Sequence, residues 1–185
     1  MSTHRILLVD DEPAIVKALT RELRRGVSEG LWPELKIEAF TDPVAALARA
    51  CECSFSLAIS DYRMPGMDGV ALLGALREQQ PDCMRVILSG QTDQEGLLGA
   101  INKAQIARFI AKPWNERELL YAVRQLLQAH EELVETAELA DRQRLALGRI
   151  SAQEAERRRL ERLEPGLTKV EWSSDGAYVL DAQHS

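Results

Sequence analysis

The chain of 185 residues carries 29 acidic against 23 basic side chains, a net charge of -6, and is 45% hydrophobic. That suffices for one ordinary domain with its own core plus an appendage, while the acidic balance, with a pI near 5.2, argues against a general nucleic-acid surface. Cys51, Cys53 and Cys83 are odd in number and lack Cys-x-x-Cys spacing, which speaks against a disulfide framework or a zinc site and fits a reducing cytoplasm; no apolar run is long enough for a membrane span or a signal peptide.

In chain order, Arg5 to Val9 reads as a continuous apolar strand ending at Asp10-Asp11-Glu12-Pro13. Pro13 suits the first turn of a helix, and Ile15, Val16, Leu19 and Leu23 follow at helical spacing until Gly26. Lys36 to Phe40 alternates like a strand, and Asp42-Pro43 opens a second helix. Phe55 to Ile59 is a buried strand leading to Asp61, after which a Pro65-Gly66 turn precedes Asp68, a natural cap for a helix running to Gln79. Met84 to Leu88 predicts a fourth strand, Asp93 to Lys103 a helix, and Ala107 to Ala111 a fifth strand. Five strands alternating with helices imply a parallel sheet covered on both faces.

The polar residues fall on one edge of that frame. Asp10 and Asp11 end the first strand, Asp61 the third, Ser89 the fourth and Lys112 the fifth. Ligands of open α/β sheets bind at this carboxyl edge. Helix capping explains one acid after a strand; it does not explain two adjacent carboxylates, a lone carboxylate, a hydroxyl and an ammonium converging. Oxygen donors of this kind suit Mg2+, lysine supplies a point charge for phosphate and serine a short donor. The set reads as a phosphoryl site without a nucleotide loop.

The motifs Val9-Asp10-Asp11-Glu12-Pro13, Ser60 to Gly69, Leu88-Ser89-Gly90 and Phe109 to Trp114 stand in the order and spacing of the CheY-like receiver domain of bacterial two-component response regulators, which the chain resembles over about Arg5 to Leu127. The resemblance implies an α/β fold, a five-stranded doubly wound parallel sheet of order 2-1-3-4-5, the flavodoxin-like arrangement. It implies that Asp61 is the phosphoacceptor, that Asp10, Asp11, Asp61 and the Arg63 backbone carbonyl hold Mg2+, and that Ser89 and Lys112 contact the phosphoryl group. It further implies a sensor histidine kinase as partner, a switch in which Ser89 moves and Phe109 fills the space it leaves, and a cis Lys112-Pro113 peptide. Phe109 as ordinary core filling is the competing reading. Arg63, two residues past the acceptor, lies near the path of attacking water in that family's geometry.

Beyond the domain, Leu119, Leu126, Leu133, Ala140 and Leu147 recur every seven residues from the cap Asn115, with Val123, His130 and Ala137 between them. This predicts one helix over 116–164 ending at Pro165, exposing an apolar stripe unless paired, so a homodimeric coiled coil is expected. The Arg157-Arg158-Arg159 run sits among Glu154, Glu156, Glu161 and Glu164 and reads as a solvated face, not a DNA contact. Thr168 to Trp172 and Ala177 to Asp181 alternate around Ser173 to Gly176 as a hairpin.

The expected organisation is therefore a receiver (1–127), a helical extension (128–164) and a hairpin tail (165–185): a phosphorylation-controlled signalling protein, not an enzyme in its own right, acting through contacts with an unnamed downstream protein. The alternatives are a regulatory fragment or relative of a receiver-coupled cyclic-di-GMP phosphodiesterase or phosphatase-type output, and a constitutive dimeric scaffold.

Overall fold

A computed structural model describes residues 3–32, 34–90 and 104–164. The elements are β1 (His4–Val9), α1 (Pro13–Ser28), β2 (Leu35–Phe40), α2 (Pro43–Ala50), β3 (Leu57–Asp61), α3 (Gly69–Gln79), β4 (Met84–Ser89), β5 (Arg108–Ala111), α4 (Glu116–Ala146) and α5 (Ala152–Leu163). The expected helix over 93–103 and hairpin over 165–185 lie outside the described residues.

All five strands pair in parallel in the order β2-β1-β3-β4-β5. Because successive strand residues point to opposite faces, each continuous apolar run feeds two cores. Leu7, Val9, Ala58 and Ile87 pack with α2 and α3 residues such as Ala46, Leu72 and Leu76 on one face. Ile6, Leu8, Ile59, Val86 and Leu88 pack with Leu19 and Leu23 of α1 and Leu119, Val123 and Leu126 of α4 on the other. Chain reversal in strand order at β1 and β3 leaves a crevice between their carboxyl ends, where the site lies.

The helix starts follow the expected chemistry. Asp42 accepts from the Val44 N–H at 3.0 Å, Asp68 from Ala71 at 2.7 Å and Asn115 from Glu118 at 3.2 Å, each satisfying an otherwise orphaned donor. Two boundaries differ from expectation by more than one residue. β3 begins at Leu57 and contains Asp61, which pairs with Leu88; Phe55 is instead fixed by its N–H donating to Gln80 Oε1 at 2.7 Å. α1 continues through Gly26 to Ser28, and Gly26 leaves room for the Trp32 indole, which a Cβ there would meet at 2.2 Å.

The larger correction concerns the extension, which is two helices and not one. α4 ends at Ala146, Gly148 adopts φ +66, and α5 starts afresh under a Ser151 cap whose hydroxyl accepts from the Glu154 N–H at 3.0 Å. Glycine tolerates this left-handed conformation, the usual stop just past a helix end, and the heptad count ran through it. Among the described residues no helix is long and apolar enough to cross a membrane.

Candidate functional site

Asp10, Asp61, Ser89 and Lys112 come from four chain segments and meet at the carboxyl edge of the sheet. Asp10 follows β1, is fully buried, and accepts from the Glu12 N–H at 3.0 Å. Asp61 is the last residue of β3 and is 7% exposed. Ser89 ends β4, and its carbonyl accepts from the Lys112 N–H at 2.7 Å, so backbone pairing sets where the lysine leaves the sheet. The Lys112-Pro113 peptide is cis, as expected.

The geometry turns on the lysine. Lys112 Nζ lies 2.7 Å from Asp10 Oδ2 and 2.5 Å from Asp61 Oδ1, one ammonium shared by two buried carboxylates. Burial pushes the Asp10 carboxyl up, with the Lys112 hydrogen bond opposing it in part. For Lys112 burial alone would favour the neutral amine, but its hydrogen bonds to Asp10 and Asp61 together raise it above its ordinary value. The lysine is thus held as a cation between the two carboxyl groups.

The remaining expected residues divide. Asp11 is exposed at the mouth of the crevice. Arg63 reaches the acceptor through its backbone, its N–H donating to Asp61 Oδ2 at 2.8 Å. Phe109, on β5, is half-buried against the α2/α3 core. Two neighbours were not legible as site residues. The Ser60 hydroxyl donates to the Asp61 carbonyl at 2.9 Å, and Gly69, the first residue of α3, is seated so close to that carbonyl that a Cβ would lie 2.0 Å from it. The Pro65 to Gly69 turn was the available signal, because a tight return to the strand end needs a residue without a side chain there.

Among the described residues no three His, Cys, Asp or Glu side chains form a closed metal cage. The donor set nevertheless fits Mg2+, which takes one or two carboxylates and completes its octahedron with water and phosphate oxygens. Asp10 and Asp61 are oxygen-only donors brought together at one ammonium, and the exposed Asp11 follows Asp10 in the chain.

Comparison with known proteins bears on the family and the fold. The family model described as the response regulator receiver domain matches residues 6–124. The hydrogenase transcriptional regulatory protein HoxA of Cupriavidus necator is 34% identical over 124 residues, 67% of this chain and 24% of its own length. The cyclic di-GMP phosphodiesterase response regulator RpfG of Xanthomonas campestris pv. campestris is 34% identical over 161 residues, 85% of this chain and 41% of its own. This chain therefore spans a quarter to two fifths of these relatives. Among solved structures, the signal receiver domain of an HD domain-containing protein from Pseudomonas fluorescens Pf-5 superposes with a TM-score of 0.64 at 32% identity, covering 71% of this chain and 92% of that one.

Proposed function

The chain belongs to the response regulator receiver domain family, and from that premise we propose that it accepts a phosphoryl group on Asp61 from a sensor histidine kinase and passes the signal on through protein contacts. The observation that carries this reading is the shared ammonium, Lys112 Nζ within 2.7 Å of both Asp10 and Asp61. An Asp61 carboxylate oxygen attacks phosphorus, the O–P bond forms as the P–N bond to the donor imidazole breaks, and the imidazole nitrogen keeps the electron pair. Lys112 is already placed to meet a phosphoryl oxygen as charge builds on it, so little reorganisation accompanies the step. Asp10, Asp11, Asp61 and the Arg63 carbonyl would hold Mg2+, which when bound neutralises phosphoryl oxygens. Ser89 then donates to the new phosphate, and Phe109 moves inward behind it, biasing the domain toward a second arrangement by their differential contacts. The domain assists its own phosphorylation; it is not an enzyme turning over a separate substrate.

The receiver occupies residues through about 127 and the helical extension 128–164. Leu133 on α4 and Leu147, the residue that caps its carboxyl end, are 48% and 59% exposed, and that stripe supports pairing with a second copy. Titration calorimetry with beryllofluoride, a phosphoryl mimic, tests the central reading: heat of binding appears only with Mg2+ and disappears in Asp61→Asn. Binding that is indifferent to both overturns it.

A second reading has one observation in its favour. The RpfG alignment, at 161 residues, is longer than the 6–124 match of the receiver itself, so the likeness continues into the extension and supports a receiver that controls a cyclic di-GMP phosphodiesterase. Stimulation of an HD-type phosphodiesterase supplied in trans favours this reading; no effect on it, with or without beryllofluoride, favours the first.

A further inference from the structure

The extension turns back on the domain by means that differ from those holding the rest of the fold. α5 buries no residue. Its charges pair along its own length, Glu154 with Arg157 and Arg158 and Glu156 with Arg159, so the helix is supported locally and not by a core. Its attachments are polar and sit on two different elements, the outer end of α4 and the lead-in to β3. On α4, Asp141 is 5% exposed and receives Arg144 of its own helix at 2.9 Å, Arg158 of α5 at 3.3 Å, and Arg162. On the receiver, the Ser54 hydroxyl, in the lead-in to β3, donates to the carbonyl oxygens of Arg162 and of Leu163, the latter at 2.9 Å.

Between these two attachments lies a cavity of about 1010 Å³ lined in part by His4, Phe55, His130, Val134 and Leu163. A helix joined through a glycine, with no buried side chain and a void beneath it, belongs to the least stable part of a fold. A buried carboxylate shared by three arginines, by contrast, gives that weak contact a definite register.

We propose that α5 is a reversible latch, hinged at Gly148, with one jaw on α4 at Asp141 and the other on the receiver at Ser54. Closed, it ties the free end of α4 to the amino-terminal edge of the sheet, the edge opposite Asp61. Because one jaw sits on the outer end of α4 and the other on the lead-in to β3, a bend of that end away from the sheet cannot satisfy both, and the latch opens as a unit. The latch does not depend on the phosphoryl chemistry above, and its test does not use it.

The test traps the closed form in the full chain. Ser54→Cys with Leu163→Cys, in a Cys51→Ser background that removes the exposed native thiol, is exposed to mild oxidant, and the intramolecular disulfide is followed by intact mass. The latch predicts rapid closure that Asp141→Ala slows by at least about tenfold, the factor expected for losing one charged contact. Arg158→Gln with Arg162→Gln slows it likewise from the other side, and circular dichroism shows that both variants keep the receiver folded. Equal rates with and without Asp141, or no intramolecular product in the parent, overturn the proposal. A disulfide linking two chains also overturns it, because α5 would then be reaching a second copy.

Discussion

Lys112 Nζ sits 2.5 Å from Asp61 Oδ1, and the contact joins the ends of β5 and β3, which are not adjacent in the sheet. Only the strand order brings them together, with β4 lying between and its Ser89 carbonyl holding the Lys112 backbone. Removing the ammonium leaves the backbone intact and strips the phosphoryl oxygens of their fixed cation. Lys112→Ala should therefore keep the fold and lower the rate of Asp61 phosphorylation by a small-molecule donor by roughly 10²–10³, as for loss of one preorganised electrostatic contact. A rate within a fewfold of wild type in stopped-flow fluorescence contradicts the assignment.

Gly69 constrains the acceptor from the other side. A methyl group there would overlap the Asp61 carbonyl at 2.0 Å and approach the Ser60 hydroxyl at 2.9 Å. The carbonyl is backbone and cannot rotate aside, so α3 or β3 must shift. Gly69→Ala should cost about 1–3 kcal/mol as overpacking, outweighing the usual gain from alanine in a helix. Urea unfolding measures it, and a variant as stable as wild type shows that the helix start yields freely.

Glu38 on β2 accepts from Arg49 Nε at 2.6 Å and from Arg5 at 2.9 Å. The Arg49 hydrogen bond holds its carboxyl below the usual range despite opposing burial. A carboxylate depressed in the folded state adds stability that is complete above its unfolded value of about 4.3 and is lost as pH falls through the lower folded value. Glu38→Gln should thus be less stable than wild type by a constant amount, about 1 kcal/mol, from neutral pH to about 5. Below about pH 4 the gap should narrow, since the wild type loses the same contribution. Thermal unfolding across that range checks the sign; a gap that widens in acid refutes it.

Pairing through α4 makes a separate prediction. Leu133→Glu with Leu147→Glu places charge on two exposed leucines far from the site and should convert a dimer to a monomer in light scattering while leaving beryllofluoride binding unchanged. Identical masses for wild type and variant remove the stripe from the interface.

Much of the frame was legible in the sequence because its signals are local. Ile6 to Val9 and Val86 to Leu88 are uninterrupted apolar runs, as strands buried on both faces require, and Asp42, Asp68 and Asn115 each cap the helix that follows. Asp10, Asp61 and Lys112 could be placed on one edge because parallel topology sends every strand's end the same way. What escaped depends on tertiary context. Gly26 looked like a stop and is a slot for Trp32; Gly148 looked like one residue of a repeat and is a reversal. Asp141 carries no local mark of the two arginines that reach it from the next helix, and nothing around Ser54 announces the carbonyls it meets more than a hundred residues later.

The most direct test is intact-mass spectrometry after incubation with a small-molecule phosphoryl donor and Mg2+. Wild type should gain one phosphoryl group that hydroxylamine releases, as an acyl phosphate must, and Asp61→Asn should gain none. Equal labelling of the two proteins, or a label that survives hydroxylamine, would contradict Asp61 as the acceptor.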